Sequence, residues 1–433
     1  MSNSTSQSQA HQTVYFLDAV LNNGRAHVPT IDENELLEFC ELLLLPDNVR
    51  PDGINAEAVL DGYDELSNDR KRRFFHLVAS ELGGNENAIL DAIAGWSPRN
   101  PDATRALYLA SQPRSRQLIA ALNKAPGGVS RLLRMRSDML ELCDKSDLIL
   151  YLDAEFRDFT QIWVDSGHLE LRRLDWASSA DTLEQIVDLG VLRDIHDWED
   201  LRNRIAERDR RINSVCHSAL PGEPLVVIEV ALTDELPGAL APMYYPDRPR
   251  YDPNIVDTAV LCSISTLPTG VEDVLLSSVP IREVIADLKR ELPKLKTFAT
   301  LSPVPSLRGG VARAMVAQDD MLLPQDREKL ATLGKGRRPD ATTASRLAAR
   351  YLTQAVSDEG MATDPVAHFH FSNGGSLHAI HAEADLSDEG VSDSWGVMAS
   401  YLYDEVQMLS RKDSYAGSVK WAVSRDVLSL AAD

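Results

Sequence analysis

The chain has 433 residues, 44% of them hydrophobic, which is enough for one large or two ordinary globular domains, and we expect two. It carries 66 acidic against 44 basic residues, a formal net charge of -22, and this negative field disfavours binding to nucleic acid and to anionic membranes. A polyanionic ligand would therefore have to be held by local groups.

The cysteines and the apolar runs indicate a cellular location. Cys40, Cys143, Cys216 and Cys262 lie far apart, without the paired spacing of a zinc ribbon or a redox motif. The N-terminal stretch MSNSTSQSQAHQ is polar, and the longest apolar runs, LLLLP and LVVIEVAL, are too short to span a bilayer. We expect a soluble, cytoplasmic protein.

The first third of the chain predicts a helical domain. Residues 1–22 read as a polar tail, and residues 23–149 contain helical periodicity in ENELLEFCELLLL, RKRRFFHLVASEL and RLLRMRSDMLELC. The turn signals PDNVRPDG and APGG separate these segments. The domain offers no glycine-rich loop and no obvious nucleophile, so we expect it to serve packing or oligomer assembly.

The rest of the chain, residues 150–433, mixes helical and strand patterns. Helical segments such as SADTLEQIVDL and WEDLRNRIAERDRRIN alternate with the β-branched runs EPLVVIEVALT, DTAVLCSIST, KTFATLSP and VAHFHFS. This alternation predicts a mixed α/β domain with a central sheet, and hence an α+β multidomain protein. The polar segment 306–345 predicts a loop or short helices on the surface.

Between Val260 and Pro305 the sequence reads strand, glycine loop, helix, strand. Pro280 suits the first turn of the helix, Pro293 ends it, and its apolar residues share one face: Ile281, Val284, Ile285, Leu288 and Leu292. A glycine loop before a helix presents free N–H groups and the positive end of the helix dipole, which together bind phosphate. Ser277 and Ser278 either cap this helix or donate hydroxyls to a ligand.

A second block, DPVAHFHFSNGGSLHAIHAEAD at residues 364–385, is rich in histidine. Strand alternation would place His368 and His370 on one face, which would suit a metal site, but nothing in the sequence fixes a third ligand. The alternative is a single catalytic histidine, His370, held by its strand and by the turn at Asn373 and Gly374.

Six segments in a fixed order carry a resemblance to a known family: HSALPGEPLVVIEVALT from residue 217, SIST from 263, LKRELPKLKTFATLSPVP from 288, RYL from 350, DPVAHFHFSNG from 364 and SYLYDE from 400. In these segments the chain resembles the malonyl-CoA decarboxylase family. The resemblance implies a helical N-terminal domain and a domain like the GCN5-related N-acetyltransferases (GNAT). It also implies decarboxylation of malonyl-CoA to acetyl-CoA and CO2 without a metal or other cofactor, by a homodimer or homotetramer.

The resemblance also implies site residues. The family pattern places a catalytic serine at Ser302, a catalytic histidine at His370 and a further active-site serine at Ser263. We assign substrate binding to the glycine loop and to the turn after His370, at Gly270, Val271, Glu272, Ser277, Ser278 and Asn373. The chain departs from the family at three positions, since some members carry an acidic residue at Leu275, an aromatic residue at Cys262 and asparagine at His381.

The chemistry requires an oxyanion site and an acid. Backbone N–H groups near Ser263 and Ser302 are candidates for the first, each contributing on the order of 10²- to 10³-fold. We assign the proton donor to His370, with a pKa near the ordinary value of roughly 6.5, and a relay to Ser302. Pro303 and Pro305 would fix the backbone after the strand and hold the serine at its carboxyl end.

Two other functions fit the same sequence. One is an acyl-CoA N-acyltransferase of the same fold, which would need an amine acceptor and a base. The other is a non-catalytic acyl-CoA-binding protein whose helical domain carries the main function.

Overall fold

The fold is known from a computed structural model. It describes residues 31–46, 49–50, 53–165, 169–188, 190, 192, 195, 197–218, 220, 224–244, 248–266, 270, 274, 281–333, 337–358, 360–417 and 421–432. The predicted tail at 1–22 lies outside these residues. No helix within these ranges combines the length and the apolar character needed to cross a bilayer.

Residues 1–167 and 268–274 form one compact unit. Its helices are α1 (Glu33–Leu43), α2 (Ala56–Asp64), α3 (Asn68–Glu81), α4 (Glu86–Ala94), α5 (Pro101–Ser111), α6 (Arg114–Leu122), α7 (Gly128–Leu142) and α8 (Asp147–Asp165). Their apolar stripes converge on a core that includes Leu36, Leu60, Phe74 and Leu132, all essentially inaccessible to solvent. The prediction of a helical N-terminal region is confirmed.

Residues 168–267 and 275–433 form the second compact unit, called here the catalytic unit. Its strands are β1 (Leu169–Leu174), β2 (Arg210–His217), β3 (Pro224–Thr233), β4 (Thr258–Thr266), β5 (Thr297–Pro303), β6 (Ser376–His381) and β7 (Met398–Leu402). Its helices are α9 (Ala180–Asp188), α10 (Trp198–Ile205), α11 (Ala241–Tyr244), α12 (Ile281–Glu291), α13 (Leu307–Ala317), α14 (Pro324–Thr332), α15 (Ala341–Gln354), α16 (Pro365–Ser372), α17 (Asp388–Ser394), α18 (Met408–Gly417) and α19 (Arg425–Ala432).

The seven strands form one mixed sheet in the order β1-β2-β3-β4-β5-β7-β6. Strands β4 and β5 run parallel, and every other neighbouring pair is antiparallel. The pairing of β4 with β5 ends at Leu261 and Thr300, although β4 continues to Thr266 and β5 to Pro303. The two strands therefore part in the middle of the sheet and open a gap there.

Most of the predicted elements of the catalytic unit are confirmed. The runs EPLVVIEVALT, DTAVLCSIST and KTFATLSP form β3, β4 and β5, and the helix predicted after Pro280 is α12. Within WEDLRNRIAERDRRIN the helix ends at Ile205, and the last four residues, 210–213, belong to β2. The polar segment 306–345 forms α13, α14 and the start of α15, and α13 contributes Leu307 to the buried core.

The strand prediction for VAHFHFS is wrong, because these residues form helix α16. The Asp364 side chain accepts from the backbone N–H groups of Val366 and Ala367, and Pro365 occupies the first turn. Both features start helices, and here they outweigh the alternation of polar and apolar residues. His368 and His370 therefore do not share a strand face.

Candidate active site

A cavity of about 530 Å³ opens where β4 and β5 part. Its wall includes Ser302 from the end of β5 and Cys262 and Ser263 from β4. Helix α16 contributes Val366 and His370. Two of the three predicted catalytic residues, Ser302 and His370, are hydrogen-bonded to each other here. The third, Ser263, lines the same cavity.

Ser302 and His370 form a hydrogen-bonded pair. Ser302 Oγ lies 2.8 Å from His370 Nε2, and the serine hydroxyl donates to Thr300 Oγ1 at 3.1 Å. Ser302 is 7% exposed and His370 is 2% exposed, so the pair is shielded from bulk water except through the cavity. The serine lies near the carboxyl end of its strand, as predicted from the prolines that follow it.

A tyrosine completes a chain of three groups. Tyr403 Oη lies 2.7 Å from His370 Nδ1, and the ring of Tyr401 stacks on the imidazole with ring centroids 4.1 Å apart. Burial raises the pKa of Tyr403, which keeps its hydroxyl protonated and able to donate. A phenol that donates to Nδ1 leaves the ring proton on Nε2, where it points to Ser302 Oγ.

Burial also lowers the pKa of His370 to about 3. The expectation that this histidine titrates near 6.5 is wrong, because a fully buried imidazole with neutral partners loses the hydration that stabilises its charged form. At neutral pH His370 is therefore a neutral hydrogen-bond donor to Ser302. No pattern in the sequence indicates this lowered pKa, since burial depends on the whole fold.

The cavity wall carries hydroxyls and apolar groups. Ser263 Oγ lies 3.0 Å from Ser265 Oγ, and both serines line the cavity. None of the described lining residues is lysine or arginine, whereas Glu389 contributes a carboxylate. The described wall thus has no cation with which a substrate carboxylate could pair.

A β-bulge lies on this wall. The register between β3 and β4 shifts between Glu229 and Val230, so that Cys262 of β4 has no partner residue on β3. Tyr244 Oη donates to the Cys262 carbonyl at 3.3 Å, and the Arg204 guanidinium lies 4.1 Å from the Tyr244 ring centroid. Tyr244 also lines the cavity, and its hydrogen bond holds the backbone of the bulge.

The predicted substrate-binding residues fall in three places. Val271, Glu272, Ser277 and Ser278 lie outside the described residues. The Gly270 carbonyl accepts from Arg136 Nη1 at 2.5 Å, within the helical unit. Asn373 caps the end of α16 by donating from Nδ2 to the Phe369 carbonyl, and it is not among the described residues that line the cavity. The binding roles of all these residues stay predictions.

The metal site considered for His368 and His370 depended on a shared strand face, but both residues lie in helix α16 and contact different partners. His368 Nδ1 contacts Tyr415 Oη at 2.8 Å, whereas His370 contacts Ser302 and Tyr403. The described part of the chain contains no group of three or more His, Cys, Asp or Glu side chains placed to hold a metal ion.

Sequence reasoning missed Thr300, Tyr401 and Tyr403. The register pairs Thr300 with Tyr401, so these two side chains and Ser302 lie on one sheet face. The alternation in TLS and in YLY was the available signal, but it gains meaning only when the two strands are known to pair.

A mixed sheet with a gap between parallel β4 and β5 is the arrangement of a GNAT-like domain, which here follows a helical domain in the sequence and holds a serine-histidine pair in the gap. The chain matches the malonyl-CoA decarboxylase C-terminal domain over residues 167–432 and the N-terminal domain of the same family over residues 82–164. It therefore belongs to the malonyl-CoA decarboxylase family.

Individual relatives agree with this assignment. The chain is similar to the crystal structure of malonyl-CoA decarboxylase from Rhodopseudomonas palustris, with a TM-score of 0.83 and 32% identity over 92% of this chain and 99% of that one. The structure from Agrobacterium vitis gives a TM-score of 0.82 at 31% identity with the same coverage. The mitochondrial malonyl-CoA decarboxylase of Mus musculus is 27% identical over 75% of this chain and 73% of its own length.

Proposed function

We propose that this chain decarboxylates malonyl-CoA to acetyl-CoA and CO2, with Ser302 and His370 as its catalytic residues. The observation that carries the proposal is the buried Ser302–His370–Tyr403 chain in the cavity of a member of this family. Family membership favours this reaction over the N-acyltransferase and the non-catalytic binding alternatives.

The reaction moves one electron pair and one proton. The bond between the α-carbon and the carboxylate breaks, its electron pair passes to the thioester oxygen, and CO2 leaves an enolate. The carbonyl then re-forms as the α-carbon takes a proton. We assign the enolate oxygen to backbone N–H groups at Cys262 and Ser263, where β4 bulges against β3 and no longer pairs with β5, because fixed donors of this type stabilise such charge.

We assign the final proton transfer to the Ser302 hydroxyl. His370 is neutral and donates from Nε2 to Ser302 Oγ, so it stabilises the alkoxide that forms when the serine gives its proton to carbon. Tyr403 maintains the imidazole tautomer that makes this donation. One proton per turnover then enters from solvent through the cavity and restores the serine hydroxyl.

The charge of the cavity wall supports decarboxylation. A lysine or arginine beside the substrate carboxylate would stabilise the ground state more than the transition state, in which that charge moves to the thioester. The described wall carries no such cation. A wall without a lysine or arginine suits a site that expels a carboxylate better than a site that only binds one.

The test is turnover of malonyl-CoA by purified protein, with acetyl-CoA and CO2 measured by mass spectrometry. Ser302→Ala and His370→Ala should each lose at least about 10²-fold in kcat. The chain offers a matched control, because Ser400 Oγ and His381 Nε2 form a second serine-histidine pair at 2.7 Å that does not line the cavity. Ser400→Ala should keep kcat, and near-normal turnover by Ser302→Ala would refute the assignment.

We also propose that the glycine loop binds the phosphates of the substrate, on the resemblance of residues 270–278 to the family pattern. Ser277→Ala and Ser278→Ala should then raise the KM for malonyl-CoA and leave kcat unchanged. An unchanged KM in both variants would remove these hydroxyls from the binding site.

We propose further that the helical unit assembles a homodimer or homotetramer. Helices α4 and α5 pack on each other and bury none of their residues, and their large apolar side chains are 53–61% exposed, at Leu90, Ile93, Tyr108 and Leu109. A double change, Leu90→Lys with Ile93→Lys, should reduce the mass measured by light scattering to that of a monomer. An unchanged mass would exclude helices α4 and α5 as the interface.

A cytoplasmic location is the last part of the proposal. All four cysteines are free thiols, which suits a reducing compartment. Fractionation of the source cells with an antibody against the chain tests it, and recovery in an organelle would contradict it.

A further inference from the structure

The serine and the histidine come from separate parts of the chain. They are 68 residues apart, one near the end of β5 and the other in α16, yet their polar atoms lie 2.8 Å apart. Strand pairing cannot join helix α16 to β5, so other contacts must fix the position of α16 relative to the segment that follows Ser302.

One carboxylate contacts both parts. Asp364 Oδ1 accepts from the N–H groups of Val366 and Ala367, each at 3.0 Å, and so caps the amino terminus of α16. Asp364 Oδ2 accepts from the N–H of Ser306 at 3.2 Å, four residues beyond Ser302. The aspartate thus ties the helix that carries the histidine to the turn that follows the serine.

Burial makes this connection sensitive to change. Asp364 is 2% exposed, and all of its hydrogen-bond partners among the described residues are backbone N–H groups. Loss of an acceptor destabilises a partly buried N–H such as that of Ser306, so the Ser306 turn would shift to find another partner. His370 lies six residues from Asp364, about 9 Å along the helix, and a small tilt at the cap therefore moves the imidazole.

We propose that Asp364 is a positioning residue, which sets the distance between Ser302 and His370 by joining the α16 cap to Ser306. This inference rests on the proposed function of the pair. It predicts that loss of the Oδ2 contact lowers kcat, because a displacement of about 1 Å in a reacting geometry costs up to about 10²-fold. Asp364 is not among the described residues that line the cavity, so KM should stay within about twofold.

Asp364→Ser is the first variant, because a serine hydroxyl still caps the helix but is too short to reach Ser306. Asp364→Asn is the second, since its amide oxygen caps the helix while its NH2 group faces the Ser306 N–H without an acceptor. Asp340 provides the matched control: it caps α15 by accepting from Thr343 N at 2.9 Å, and it does not line the cavity.

The measurements are steady-state kinetics with malonyl-CoA, which give kcat and KM, and circular dichroism, which shows whether each variant is folded. We expect kcat to fall about 10- to 100-fold in Asp364→Ser and Asp364→Asn, and to be unchanged in Asp340→Ser. If Asp364→Ser fails to fold, Asp364→Asn decides by the same criterion. A folded variant with normal kcat, or one that changes only KM, would overturn the inference.

A double-mutant cycle separates positioning from a general structural effect. If Asp364 acts through the pair, adding Asp364→Ser to Ser302→Ala should lower the residual kcat no further. An equal additional loss in that background would overturn the inference. The proposed function fails separately, if Ser302→Ala alone keeps its turnover.

Discussion

The protonation of His370 gives the most direct physical test of the site. In an unfolded chain a histidine has a pKa of about 6.5, whereas in the folded protein burial lowers the pKa of His370 to about 3. Below pH 6.5 the unfolded state therefore binds a proton that the folded state does not. The contribution of this residue to stability is complete above pH 6.5 and is lost progressively as the pH falls toward 3.

The magnitude follows from the separation of the two pKa values. Each pH unit below 6.5 costs about 1.4 kcal/mol, so at pH 5 the wild-type catalytic unit should be about 2 kcal/mol less stable than at pH 8 on account of His370 alone. The variant His370→Gln has no such group. Other shifted groups, such as His381 and Asp364, are present in both proteins and cancel in the difference.

The assay is urea unfolding at pH 8 and pH 5 and constant ionic strength, with pulsed hydrogen exchange read on peptides from β5 and β7 so that only the catalytic unit is followed. The wild type should lose about 2 kcal/mol more than His370→Gln between the two pH values. Equal losses would mean that His370 titrates near 6.5 in the folded protein. The neutral Nε2 donor on which the proposed proton transfer depends would then be refuted.

Three further outcomes are expected. Tyr403→Phe should lower kcat about 10-fold at unchanged KM, since His370 loses the donor that fixes its tautomer, and a normal kcat would exclude that role. Gly270→Ala should lower the thermal stability of the helical unit, because φ is +74° and a Cβ would lie 2.5 Å from the Leu133 carbonyl and 2.9 Å from Ser137 N; an unchanged melting temperature would contradict this close packing. Exhaustive dialysis against a chelator should leave turnover unchanged, and lost activity restored by a metal ion would show that the assigned residues are insufficient.

The strands that the sequence predicted well are those whose pattern is decided locally. The runs that form β3 and β4 are rich in β-branched residues and bounded by turn residues, and burial on both faces requires that composition. Helix α12 likewise shows one apolar face with Ile281, Val284 and Leu288 buried. In these elements, propensity, periodicity and burial agree.

The segment around His370 shows where local reasoning fails. In VAHFHFS the buried residues Ala367, His370 and Phe371 follow a helical period, but one of them is a histidine and the half-buried Phe369 lines the cavity, so the hydrophobic residues alternate as in a strand. The cap at Asp364 and the proline after it were the better signals, because they depend on backbone N–H groups that any helix start must satisfy. The residues alone left a metal site and a single catalytic histidine open, and the family resemblance favoured the catalytic role of His370.

The tyrosines show a second kind of limit. Tyr403 is 33 residues from His370 in sequence, and nothing near it indicates a catalytic partner. Its place follows from register: Thr300 pairs with Tyr401, and the next alternate residue, Tyr403, donates its N–H to the Phe298 carbonyl at 2.9 Å. A shift of one residue in this pairing would turn both tyrosines to the other face of the sheet. The proton path therefore depends on the register of β5 with β7 as much as on the identity of any side chain, and substitutions that loosen this pairing should impair turnover without touching Ser302 or His370.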